Sequence, residues 1–386
     1  MPRLDVLATA LGTVAFAFVW VTEPCFAMDI RLQVDGQEET VFNWGEQRCF
    51  DWHIPDAPLR AFRNKEDQVV AFASSDLNIP LIGDDLLSIK TICSSAYKGK
   101  KSANPADHSD HSWIGATWTD DGETVYGLVH NEYHANEHEG ACRFRDSHSC
   151  WYNVITAVSS HNGGMTFEAP REPVLLAGPS NTQDIDQGRH RGFFHPSNIL
   201  FHDNYWYVLL GTTGGNEQQA GTCLFRTPNI TDPTAWRGWD GSDFTVQPYD
   251  AYRPRGISPR SCKPVGKFGG PPGTIVRHQA TGTFITVMVA TPTGASPKGF
   301  VAYATSKDLI HWSQATSLLE KSAVGGGSCN DDARYAYAAL LDPASTSRNF
   351  DTIGDTAYLF MTRFTIKNCK GGDERDLVRI PIRVIS

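Results

Sequence analysis

The 386 residues carry 34 basic and 43 acidic side chains, a net charge of −9, with neither sign gathered into a block. That distribution excludes a nucleic-acid binder, which presents a basic stripe. The length suits one large all-β domain or two ordinary ones. Ten Trp, twelve Tyr and thirteen His in a Gly- and Pro-rich chain suit a carbohydrate binder, because aromatic faces stack on sugars, and equally suit β-sheet packing.

The chain opens with Met1-Pro2-Arg3, an apolar run from Val6 to Val21 and the small-residue pattern around Cys25-Phe26-Ala27, which reads as a removed signal peptide over 1–27. The run is shorter than the roughly 20 residues of a spanning helix, and Pro24 before Cys25 does not fit a lipobox. No later segment is apolar and long enough to span a bilayer, so the expectation is a secreted or periplasmic monomer without a membrane partner. Removal of Cys25 leaves an even set of eight cysteines, as disulfides require. Cys142 and Cys150, bracketing a short polar loop, are the one pair expected from sequence. Zinc is the competing reading, but Cys-x-x-Cys and His-Glu-x-x-His are both missing, so no metal or cofactor is expected.

Short runs rich in Val, Ile, Thr, Tyr, Phe and Trp recur between turn residues, the signature of strands, and they recur in groups. Leu59–Arg63, Val69–Ser74 and Ser88–Ser94 form one group. Trp113–Trp118, Thr124–His130 and Tyr152–Ser159, leading to Phe167, form a second. Pro196–Phe201, Tyr205–Leu210, Thr222–Arg226 and Trp236–Trp239 repeat the order, as do Thr274–His278, Thr283–Ala290, Phe300–Thr305 and Trp312–Ala315. Tyr335–Leu341, Thr356–Phe364 and Leu377–Val384 supply three more strands and leave room for an N-terminal strand, near Ile30–Val34 or Thr40–Trp44, to close a ring. Radial repetition with shared closure protects sheet edges. The expected fold is therefore an all-β, five-bladed propeller of four antiparallel strands per blade over 28–386, with six blades as the alternative.

Two hairpins carry a family resemblance. Ser160-His161-Asn162-Gly163-Gly164-Met165-Thr166-Phe167 resembles the Asp-box of sialidase-like propellers, with Asn in the Asp position; its short polar side chain and glycines serve the turn and not catalysis. Thr305-Ser306-Lys307-Asp308-Leu309-Ile310-His311-Trp312 resembles the Ser-x-Asp-Leu-x-x-Trp hairpin of five-bladed glycoside hydrolases of the arabinanase, xylosidase and fructosidase kind, and the segment from Arg226 through Asp232 to Trp236 is a looser version. The resemblance implies a carbohydrate site at the central mouth, where inner strands begin and second strands end.

That rule selects the candidate residues. Glycosidases need two carboxyl groups at the scissile bond, one protonated and one ionised. Asp56, where the resembled families place a first-blade aspartate, is the candidate base or nucleophile; a turn aspartate between prolines is the alternative. Glu132, in the polar cluster His130-Asn131-Glu132-Tyr133-His134, is the candidate acid, or else a solvated loop residue as Glu137 and Glu139 are expected to be. The resembled hydrolases carry an acid glutamate at the start of the third inner strand, and this chain has His195 there, able to titrate or to bind a sugar hydroxyl. Candidate substrate contacts are Arg60, Asp110, His111, His130, Asn131, His134, Arg191, Asp332 and Arg363. His111, His130 and His195 are the residues that would hold an axial ion. The leading expectation is a glycoside hydrolase. The alternatives are a non-catalytic glycan- or protein-binding propeller and a uronate-directed lyase using His130, Tyr133 and Arg363.

Overall fold

A computed structural model describes residues 30–184, 190–290, 299–324 and 326–386. The expected signal peptide, with Cys25, lies outside these residues.

Successive strands pair antiparallel with their sequence neighbours, as short turn-separated β-rich runs do. The first blade is Pro55–Arg63, Val69–Ser74, Pro80–Gly83 and Lys90–Thr91. The second is His111–Trp118, Val125–His134, Trp151–Ser160 and Leu175–Ala177. Leu200–His202, Tyr205–Thr212, Gly221–Thr227 and Arg237–Trp239 make the third, with Phe244–Val246 at its edge. Pro272–His278, Phe284–Ala290, Phe300–Ser306 and Thr316–Leu319 make the fourth. The fifth joins Ala333–Leu341, Thr356–Lys367 and Lys370–Ile385 to the N-terminal strands Arg31–Val34 and Glu39–Phe42, both of which pair with Lys370–Ile385. Sequence left two places for the closing strand, and both are used.

Apolar clusters between neighbouring blades close the ring. Phe62, Val70, Ile114 and Val129 fill the first-to-second junction. Leu128, Ile155, Val208 and Phe225 fill the next. Leu209, Leu224, Ile275 and Phe284 join third to fourth, and Val276, Val287, Leu340 and Leu359 join fourth to fifth. Leu59 and Val69 meet Leu341 and Phe360 across the last junction, so the fifth blade packs on the first. A five-bladed propeller is the arrangement these junctions describe.

Buried polar side chains add register between blades. Asn78 Oδ1 accepts from Ile114 N at 2.7 Å and its Nδ2 donates to Ser112 O at 2.7 Å. Asn198 repeats the device on Ile275 N (2.7 Å) and Ile275 O (2.9 Å). The third inner strand begins early: Arg191–Phe194 pairs antiparallel with the far end of Tyr205–Thr212, in line with Leu200–His202 across an irregular stretch, and its first residues run parallel to Trp151–Ser160, tying second blade to third.

The two recognised hairpins are turns held by their own side chains. Asn162 Oδ1 accepts from Thr166 N at 3.0 Å and Ser160 Oγ from Gly164 N at 3.0 Å. Gly164 needs to be glycine twice over: its φ is +84°, and a Cβ there would sit 2.5 Å from the Phe62 ring. In the fourth blade Asp308 Oδ1 accepts from Ile310 N and His311 N, and Trp312 Nε1 donates to Leu309 O at 2.7 Å. Four disulfides, Cys49–Cys93, Cys142–Cys150, Cys223–Cys262 and Cys329–Cys369, use all eight remaining cysteines.

Candidate functional site

The second strand of the second blade ends in an alternation that sets the site. Successive strand residues face opposite sides, so His130, Glu132 and His134 share one face and line a cavity of about 330 Å³ at the mouth. Asp56, Ala57 and Pro58 reach the same cavity from the irregular start of the first inner strand, where pairing slips between Pro55 and Arg60. His111 and Trp113 start the second inner strand, opposite Glu132 and His130 respectively. His195 and Pro196 enter from the third blade and Tyr337 from the fifth, while Trp52 and Trp151 stand at the rim. The volume lies in the range of small-molecule sites.

Asp56 and Glu132, the two candidate carboxyls, stand on this one cavity in different environments. Burial pushes the Asp56 carboxyl up, against the opposing effects of Arg375 and a hydrogen bond from the Tyr337 hydroxyl (3.1 Å); with the nearby Glu132 charge adding to the rise, it reaches about 6. Burial also raises Glu132, but a hydrogen bond from His134 and the charges of His130, His134 and His195 outweigh it and hold the group at about 2. His134 Nε2 lies 2.8 Å from Glu132 Oε2 and His130 Nε2 3.4 Å from Oε1. The pair is thus poised opposite to expectation: Asp56 keeps a proton in mild acid, and Glu132 is ionised. Burial lowers His195 to about 3, which leaves its imidazole neutral near pH 7.

Several predicted contacts are placed elsewhere. Arg60 is 1 % exposed, with Nε on Gly115 O (2.6 Å) and Nη2 on Pro196 O (2.7 Å), pinning three blades beneath the cavity floor. Asn131 faces away from the cavity, donating to Thr156 Oγ1 at 2.7 Å and accepting from the Ser112 hydroxyl at 2.6 Å. Asp110 is buried, accepting from His134 N at 3.0 Å, with His138 Nε2 3.1 Å away. Arg191 lines a separate cavity of about 310 Å³ with Asn181, Asn216 and Gln218. Asp332 is an exposed residue just before the last inner strand. Arg363 is held by Glu38 and Asp376, both at 2.7 Å. With Arg363 so engaged and the Tyr133 hydroxyl donating to Ala103 O at 2.9 Å, the lyase set does not assemble.

Other residues of the site carried no usable signal in sequence. Glu137, expected in solvent, lines the cavity and meets both His111 and His134. Asp76, just beyond the end of Val69–Ser74, lies 2.9 Å from His111 Nδ1 and 2.9 Å from Lys101 Nζ. Tyr337 arrives through a bulge between Ala336 and Ala339, and Arg375 comes from an outer strand. Burial alone would lower the His111 imidazole; hydrogen bonds to Asp76 and Glu137 outweigh it and raise the group.

No protein-family model matches the chain, and no curated protein is similar to it. Solved structures to which the chain is similar include an N-acetylgalactosamine deacetylase from F. plautii in complex with blood group B trisaccharide, 11 % identical over 92 % of this chain and 96 % of that one, with a TM-score of 0.49. The GH43_1 enzyme from Xanthomonas citri complexed with xylotriose is 13 % identical over 86 % and 87 %, at 0.48. Sucrose-6-phosphate hydrolase from Lactobacillus gasseri is 11 % identical over 86 % and 60 %, at 0.48.

Proposed function

We propose that the chain is a glycoside hydrolase that binds a poly- or oligosaccharide at the central mouth and cleaves a glycosidic bond with Asp56 as general acid and Glu132 as general base or nucleophile. The observation that carries this reading is the presence of Asp56 and Glu132 on one cavity walled by Trp113, Trp151 and Tyr337, with Asp56 protonated in mild acid. Two carboxyl groups in different protonation states are what the reaction requires. His195 and His130 would take sugar hydroxyls, and Trp52, 51 % exposed at the rim, offers a face for a further sugar ring. The protein would work as an exported, single-domain monomer released after residue 27.

The test is a glycan screen read by reducing-end release, followed on a responsive substrate by Asp56→Asn and Glu132→Gln. Each substitution is expected to reduce kcat by roughly 10²–10⁴-fold while leaving the near-ultraviolet circular dichroism unchanged. Full activity in either variant overturns the assignment. The second reading, a glycan-binding propeller without catalysis, draws on His195 standing where the resembled hydrolases carry glutamate; saturable glycan binding with no reducing-end release would favour it.

A further inference from the structure

The geometry points to a second ligand of this mouth: one divalent cation of the zinc class, held by His111, His134 and Glu137. One donor atom from each residue lies within 4.8 Å of the others. His111 Nε2 is 3.0 Å from Glu137 Oε2 and His134 Nδ1 is 3.1 Å from Glu137 Oε1, so two imidazoles turn one nitrogen each toward a single carboxylate. Two nitrogens and a carboxylate oxygen with an open position are a zinc-type donor set.

A second observation comes from the far side of each ring. A ligating histidine characteristically gives its other N–H to a carboxylate, which fixes its tautomer and orientation. Both histidines are arranged so. His111 Nδ1 lies 2.9 Å from Asp76 Oδ2, and His134 Nε2 lies 2.8 Å from Glu132 Oε2. With no ion, satisfying a carboxylate at every one of these four nitrogens requires two doubly protonated imidazoles, since a neutral ring has one N–H. A divalent ion on the Glu137 side takes the place of two protons and leaves each neutral ring donating outward.

The supporting parts are ordered by the fold. His111 begins an inner strand and His134 ends its hairpin partner. The Trp151 ring stacks on His134 at 3.9 Å and 11°, and its Nε1 donates to Asn136 Oδ1 at 3.0 Å. Glu137 sits in the short turn Ala135–Glu137 that follows directly. Lys101 Nζ lies 2.9 Å from Asp76 Oδ2 and 3.0 Å from His111 Nε2, the nitrogen that would bind the ion, so its 42 % exposed side chain must leave for a cation to enter.

The inference stands apart from hydrolysis, and its test uses no substrate. The full chain without a histidine tag, stripped by chelator, is titrated with Zn²⁺ by calorimetry and with Co²⁺ by visible absorption. One equivalent is expected, with Co²⁺ bands of nitrogen and oxygen coordination. Glu137→Gln and His134→Ala are expected to lose stoichiometric binding. Asp76→Asn is expected to weaken it about 10–100-fold, and His311→Ala, on an exposed fourth-blade turn, to keep it. Glu137 has a half-exposed side chain, so its replacement leaves the core intact. Absence of one-equivalent binding in the wild type, or wild-type affinity in Glu137→Gln with unchanged circular dichroism, overturns the site.

Discussion

Asp56 makes the folded protein sensitive to pH in a calculable way. At about 1.4 kcal/mol per tenfold change in proton activity, a carboxyl moved from 3.8 to about 6 costs about 3 kcal/mol more to ionise in the folded chain than in the unfolded one. Because the folded value is raised, the contribution is fully favourable below about pH 4 and is lost as pH rises through about 6. Asp56→Asn removes the titration while keeping an acceptor for the Tyr337 hydroxyl. The lost ion pair with Arg375 offsets the variant's stability but gives it no pH dependence of its own in this window. The assay is urea unfolding of wild type and variant at a series of pH values. The stability of wild type relative to variant should fall by about 3 kcal/mol between about pH 4 and about pH 7. A difference that stays flat across this interval would show that Asp56 titrates at an ordinary value and would remove the basis for making it the acid.

Two further predictions concern what holds the blades. Arg60→Met leaves Gly115 O and Pro196 O without their buried donor and should cost about 3 kcal/mol in urea unfolding; a neutral effect would show that the guanidinium is not a pin between blades. Replacing Cys223 and Cys262 by Ser, which opens a loop with a sequence separation of 39, should cost about 4 kcal/mol, against about 2.5 kcal/mol for Cys142 and Cys150, separated by 8. Equal losses in the two double variants would refute the chain-entropy account.

The fold was legible because its information is local. Turn residues and β-rich runs repeat within each blade, and the Asn162 and Asp308 turns are closed by side chains a few residues away. What was not legible depends on contacts distant in sequence. The early start of the third inner strand, Arg191–Phe194, pairs with strands of two blades, and Cys49–Cys93 joins segments 44 residues apart. The mouth rule was coarser than the site. It selected 130–134 as a block, but strand alternation sends His130, Glu132 and His134 into the cavity and Asn131 to the opposite face. It selected arginines by position, whereas Arg60 and Arg363 are already engaged by backbone carbonyls and by carboxylates. Tyr337 escaped notice because a bulge, not the pleat, aims it.

That bulge matters for the chemistry. His195 and Tyr337 have φ of +49° and +59°, a left-handed conformation that costs a non-glycine residue of order 1–3 kcal/mol, and both line the cavity. In regular extended backbone a side chain follows the alternation of its strand; these two depart from it and meet across the mouth, with ring centroids 5.9 Å apart. The Tyr337 hydroxyl then donates to Asp56 Oδ1, an interaction that favours the ionised carboxylate and works against the rise caused by burial. Tyr337→Phe keeps the backbone and ring and deletes only that donor. Asp56 should then hold its proton to higher pH, so the alkaline limb of kcat/KM on a responsive glycan should move upward from about 6. If the limb stays in place while kcat falls, Tyr337 acts on the substrate and not on Asp56; if it moves downward, the assignment of Asp56 as the acid fails.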